Sequence, residues 1–206
     1  MLLTIDPNEP EPWLVARVAQ VLRRGGLAVV PTDTVYSIVC LISDGDAVTR
    51  LYEAKGISGA KRLSLLVPDL ASAAAYTRDI PNQVFRIMRR VLPGPYTLIF
   101  QASSEVPRIM LHKRRTVGLR IPDSAIVLAL LDDLQEPLLS TSVRNLSDEW
   151  VLDPVAIDTD YGDAVDVVVD GGLLAAEPST VIDLSGDRPV LVREGKGDVG
   201  VLELID

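Results

Sequence analysis

Hydroxyls and cations recur at the ends of the apolar runs of this 206-residue chain. Thr32, Thr34 and Tyr36 stand in the turn PTDTVY. Lys55 precedes a Gly/Ser-rich loop that closes on Lys61 and Arg62. Thr116 and Arg120 share the run TVGLR, and Ser140, Thr141 and Ser142 form a hydroxyl cluster behind Pro137. Ser179 and Thr180 make a second cluster, and Arg193 ends VLVR. Polar groups at strand ends are where an α/β sheet usually binds its ligand. Hydroxyls that donate to phosphate oxygens, with lysines and arginines that neutralise them, suit a polyphosphate. Singly, each residue reads as ordinary strand-end polarity, and a lone surface arginine pair is worth about 0–1 kcal/mol. Only the set points to a ligand.

Other chemistries are poorly served. Gly195-Lys196 is followed by Gly197 rather than Ser or Thr, so there is no Walker loop, and no dinucleotide glycine fingerprint occurs. His112 is the only histidine and Cys40 the only cysteine, which leaves no familiar metal-ligand spacing and no expected metal site. A Ser-His-Asp triad would have to use His112, which sits in the basic run HKRR. Cys40 lies in SIVCL and reads as a buried core thiol in a reducing cytoplasm. The net charge of −9 disfavours a general nucleic-acid coat while leaving room for a local basic patch. No apolar run has membrane-span length, and the N-terminus has no basic head or signal-type block. A cytoplasmic protein without membrane partners is expected.

The elements that must position these residues follow from pattern. Pro12 to Arg24 reads as a helix with Leu14, Val18, Val21 and Leu22 on one face and Gly25-Gly26 as its stop. Strands are expected at 27–31, 35–41, 63–67, 96–100, 116–121, 138–141, 165–169, 180–184 and 190–193. Between them lie helices capped by Asp44, by Asp69, by Pro81 and by Asp123 or Ser124, with a polar helix at 153–161. Residues 106–115 read as a short helix running into a basic loop, and the tail after Gly195 as peripheral. Hydrophobic residues at 48 % can fill a sizeable core. Strands alternating with helices, then a β-rich end, predict one α/β (α+β) domain over 1–206, with a core of about 12–195. Its mixed twisted sheet is flanked by helices.

The ordered set PTDTVY, YEAKG…KRLSLLV, PGPYTLIF, TVGLRIP, PLLSTS, PSTVIDL and VLVREG resembles the YrdC/YciO family over nearly the whole chain. The resemblance implies a YrdC-like α/β-twist domain with a large concave, basic-lined cavity. It implies the chemistry of threonylcarbamoyl-AMP synthases, which join L-threonine, bicarbonate and ATP, with Mg2+, into threonylcarbamoyl-adenylate and pyrophosphate for the t6A modification of tRNA. No tightly bound cofactor is implied, since Mg-ATP is a substrate. Carried over by motif, Lys55 and Arg120 would be the catalytic cations. Thr32, Tyr36, Thr116, Ser140, Ser142 and Arg193 would bind substrate, and the strand-end pattern adds Lys61 and Ser179 to the expected substrate-binding set. Such a reaction needs neutralised phosphates and in-line placement rather than a protein nucleophile.

Three departures bring the chain nearer the YciO branch. The synthases carry Lys-x-Arg where Lys55-Gly56-Ile57 stands, and Ser-x-Asn where Ser142-Val143-Arg144 stands; Ser37 replaces a usual glycine. Losing an arginine that clamps a buried anion costs roughly 2–5 kcal/mol. Reduced or diverged activity is therefore expected unless Arg144 reaches back to supply the missing charge. The second reading is a non-catalytic module of the YciO type that binds double-stranded RNA or nucleotide, using Arg108, Lys113, Arg114 and Arg115 as its basic patch, with tRNA or double-stranded RNA as partner. Such binding would weaken steeply with salt.

Overall fold

The structure is a computed structural model describing residues 1–56, 63–111, 115–145 and 147–204. Among these described residues, ten strands form one twisted mixed sheet: β1 (Leu2–Thr4), β2 (Ala28–Val30), β3 (Ser37–Leu41), β4 (Ser64–Leu66), β5 (Tyr96–Gln101), β6 (Thr116–Arg120), β7 (Leu138–Ser142), β8 (Val167–Asp170), β9 (Thr180–Asp183) and β10 (Val190–Arg193). Their order is β1-β8-β2-β3-β7-β4-β6-β5-β9-β10. Among the described residues, six α-helices accompany them: α1 (Pro12–Arg23), α2 (Gly45–Ala54), α3 (Leu70–Ala75), α4 (Asn82–Val91), α5 (Ala125–Leu134) and α6 (Pro154–Tyr161). The expected mixed sheet flanked by helices is what forms.

The caps behave as their residue types dictate. Asp44 accepts from the backbone N–H of Asp46 and Ala47, Asp69 from Ser72, Ser124 from Val127 and Asp153 from Val155. Each cap of this kind is worth about 1 kcal/mol. Two expectations fail. β1 was not foreseen: it is three residues long and pairs in parallel with β8, more than 160 residues away, so nothing local announces it. Among the described residues of 106–115, a single 3₁₀ turn forms, at Arg108–Met110.

Side chains alternate across the sheet, and the two faces are finished differently. One face, carrying Ile38, Cys40, Leu65, Leu98, Leu119 and Leu139, is covered by α2, α3, α4 and α6. On the other face, α1 and α5 cover Val30, Val39, Leu41, Leu66 and Leu138. The rest of that face carries small polar residues. Register aligns them: Ser37 lies opposite Ser142, and Ser140 opposite Ser64. Along β3 and β7 the same face therefore passes from leucine and valine under the helices to serine beyond them. A cavity of about 520 Å³ opens there. Among the described residues, no helix is long and apolar enough to cross a membrane.

Candidate functional site: a concave cavity lined by arginine and hydroxyl side chains

Strands β3, β4, β5, β6, β7, β9 and β10 all contribute to the cavity wall. Gly118 on β6 deepens it, because a Cβ there would meet Thr97 and Leu63 at 3.4 Å and stand proud of the floor. The hydroxyls are Ser37, Ser64, Thr97, Thr116, Ser140, Thr141, Ser142 and Ser179, and the cations are Arg120, Arg144 and Arg193. Among the described residues no carboxylate lines it. In a chain of net charge −9, that is a strong local sorting of charge.

Arg120 is 4 % exposed, and its Nη2 donates to Asp33 Oδ1 at 2.6 Å and Thr34 Oγ1 at 3.0 Å. Burial pushes the guanidinium pKa down, and the Asp33 carboxylate opposes that. The turn that offers these acceptors is built by its own hydroxyls. Thr32 Oγ1 donates to the Val35 carbonyl at 2.7 Å and accepts from the Thr34 N–H. With its one proton so used, Thr32 must accept from Thr34 Oγ1 at 3.0 Å. A relay Arg120 to Thr34 to Thr32 to Val35 results. Thr32 thus shapes the turn and does not line the cavity, contrary to the expectation that it would bind substrate.

Tyr36 also departs from expectation. It precedes Ser37 in an extended chain, so it points to the opposite face, into the core with Ile38 and Cys40. Its hydroxyl donates to the Gly172 carbonyl at 2.7 Å and accepts from the Gly171 N–H at 3.2 Å. Burial raises its pKa to about 12. Gly171 lets this acceptor segment lie close against Pro31, since a Cβ would lie 2.7 Å from Pro31 Cγ. The glycine pair after β8 was the signal, and it reads only once Tyr36 is seen against it.

Arg193 holds Ser179 with three bonds: Nε and Nη2 to its carbonyl at 3.0 and 2.8 Å, and Nη2 to its Oγ at 3.0 Å. Ser179 Oγ in turn meets Thr97 Oγ1 at 2.8 Å. The tail after Gly195 is not peripheral. Thr180 Oγ1 donates to the Gly197 carbonyl, Lys196 Nζ to the Asp33 carbonyl at 2.7 Å, and Tyr96 Oη to the Asp198 carbonyl, while Val201 joins the core. Gly195 and Gly197 make this possible, since a Cβ at either would strike Pro178 or the Tyr96 ring at 2.2 and 2.6 Å.

Arg144 lies two residues beyond Ser142, and both line the cavity. Its guanidinium stacks 3.6 Å from the Trp150 ring, and its Nη1 meets Asp148 O at 2.9 Å and Oδ2 at 2.7 Å. Asn145 caps this small hairpin by accepting from the N–H groups of Ser147 and Glu149, so it is turned away from the cavity. The position two after a cavity-facing serine must itself face the cavity, which is why Arg144 and not Asn145 does.

Seven expected site residues thus come together: Thr116, Arg120, Ser140, Ser142, Arg144, Ser179 and Arg193. Lys55 ends α2 as its C-cap, half-buried, and is not among the cavity-lining residues. Lys61, Lys113 and Arg114, with Ile57, lie outside the described residues. Arg108 and Arg115 are exposed. Residues missed from sequence are Ser64, Thr97, Gly118 and Trp150, although strand alternation from Arg120 back to Gly118 would have found the glycine.

Comparisons with known proteins agree with this geometry. A Sua5/YciO/YrdC family model, described as telomere recombination, matches residues 20–195. The uncharacterised protein YciO of Escherichia coli K12 is 39 % identical over 95 % of both chains. The threonylcarbamoyl-AMP synthase of Pyrococcus abyssi is 30 % identical over 95 % of this chain and 58 % of its own length. Among solved structures, E. coli YciO superposes with a TM-score of 0.93 at 38 % identity, covering 98 % of each chain. P. abyssi Sua5 complexed with L-threonine gives 0.92 at 28 % identity, over the whole of this chain and 60 % of that one. The chain therefore belongs to the Sua5/YciO/YrdC family.

Proposed function

We propose that the cavity binds ATP, L-threonine and bicarbonate and forms threonylcarbamoyl-adenylate, in service of tRNA modification. The observation that carries this reading is a cavity of about 520 Å³ lined by three arginines and a floor of hydroxyls, with no carboxylate among its described lining residues. Such a wall favours an anion of nucleotide size over a cation or an apolar ligand. Two buried polar atoms near it, Ser37 Oγ and Arg120 Nε, have no partner among the described residues. A bound ligand or its waters would supply partners that burial otherwise denies them.

The chemistry asks the chain for binding and orientation. The carbamate formed from threonine and bicarbonate attacks the α-phosphorus, and pyrophosphate leaves as the P–O bond to the β-phosphate breaks. Arginines at the cavity wall offset the charge that develops on the phosphoryl oxygens, and a preorganised polar wall does so without reorganising during the step. Mg2+ would enter with ATP as part of the substrate. The family relationship supports this reading through its threonylcarbamoyl-AMP synthases. The double-stranded RNA reading is supported less, because Arg120, part of the basic run in sequence, is buried against Asp33 rather than displayed beside Arg108 and Arg115.

The test is pyrophosphate release from ATP, with threonine and bicarbonate omitted in turn and the adenylate product identified by mass. Turnover that needs all three is the expected result. A folded protein that releases no pyrophosphate overturns the proposal.

A further inference from the structure

The three cavity arginines are not equivalent. Arg120 is neutralised by a buried carboxylate, Asp33. Arg193 has its Nε and Nη2 engaged with Ser179. Arg144 differs from both. Only Nη1 is engaged, with Asp148, and Nε and Nη2 have no partner among the described residues. Its counter-charge, Asp148, is 61 % exposed and therefore screened by solvent.

The Nε–Nη2 edge is one of those through which a guanidinium makes two parallel bonds to a carboxylate. Here that edge is preorganised. Trp150 holds one face of the plane, Asp148 pins the far corner, and Tyr161 Oη donates to the Arg144 carbonyl, fixing the backbone. Across the strand pair from Ser142, two residues before Arg144, the buried Ser37 Oγ also has no partner among the described residues. An open cationic fork and an orphaned hydroxyl therefore border the same cavity.

The geometry points to Arg144, seated on Trp150, as a specificity-determining residue that grips the carboxylate of the amino-acid substrate, with Ser37 as a neighbouring donor. The assignment rests on the proposed adenylate-forming function for the identity of that substrate. Its test is equilibrium binding, which needs no turnover, so a failed assignment is distinguishable from a failed synthase reaction.

Calorimetric titration compares L-threonine with L-threoninamide, and AMP with adenosine, for the native chain, R144Q and R144K. The native chain is expected to prefer threonine to its amide at least tenfold. R144Q should erase that preference, and R144K, which keeps charge but not the fork, should recover part of it. The preference for AMP over adenosine should survive in both. Equal binding of threonine and amide by the native chain, no threonine binding, or an unchanged preference in R144Q overturns the assignment. Loss of the AMP preference in R144Q instead would hand the edge to a phosphate and overturn it equally.

Discussion

Replacing Asp33 with alanine tests whether the buried pair with Arg120 organises the cavity wall. The pair is 2.6 Å long, with side-chain exposures of 7 % and 4 %. It is also under-satisfied, since Asp33 Oδ2 and Arg120 Nε are buried without partners among the described residues. Removing the carboxylate strands a buried guanidinium that keeps, among the described residues, only the Thr34 hydroxyl, and such a loss costs about 3–5 kcal/mol. For a domain of this size each kcal/mol lowers Tm by about 2–4 °C, so D33A should melt roughly 6–20 °C lower. Removing both charges, as in D33A/R120M, avoids the stranded ion and should recover most of the loss. Pyrophosphate should raise the Tm of D33A more than that of the native chain, because it can replace the missing counter-charge. Urea and thermal unfolding of the four proteins of this cycle, with R120M as the other single variant, measure the coupling. A D33A cost below about 1 kcal/mol, or a double variant as unstable as the sum of the singles, would refute the reasoning.

Three further outcomes follow from the packing. Gly118→Ala should leave stability within about 1 kcal/mol, because its Cβ meets neighbours at 3.4–3.5 Å, whereas Gly118→Leu should fill the cavity floor and weaken ATP binding at least tenfold by calorimetry. Gly195→Ala should destabilise by about 1–3 kcal/mol in urea titration, since its Cβ would lie 2.2 Å from the Pro178 carbonyl. Burial raises the pKa of Tyr36 and of Cys40 to about 12 from ordinary values of 10.0 and 9.0. The folded state then keeps protons that the unfolded state releases, so stability should fall as pH rises from about 9 to 12. Tm measured across that window should drop less steeply in Y36F and C40A, and the native Cys40 thiol should react with a disulfide reagent only on unfolding.

Much of this protein was legible in one dimension. The helices over 12–24, 69–76 and 153–161 follow from caps, prolines and apolar spacing, all of which act within a few residues. Most of the strands follow from short apolar runs between breakers. Ser140, Ser142, Arg120 and Arg193 could be picked out because hydroxyls and cations are unusual in such runs. Strand alternation, a local rule, also separates Arg144 from Asn145 and Tyr36 from Ser37.

What only tertiary structure decided is which polar group meets which. Thr32 and Thr34 look alike in PTDTVY, yet one closes the turn and the other receives Arg120. The tail after Gly195 carries no strong local pattern, but Gly195 and Gly197 let it press against Pro178 and Tyr96 and carry Lys196 to Asp33. β1 forms because β8 offers it an edge. Trp150 becomes part of the cavity because Arg144 lies on it. Local sequence sets backbone preference and the face each side chain takes. The partners come from distant chain, where neighbours are chosen by burial and by the need to satisfy every polar group that burial removes from water.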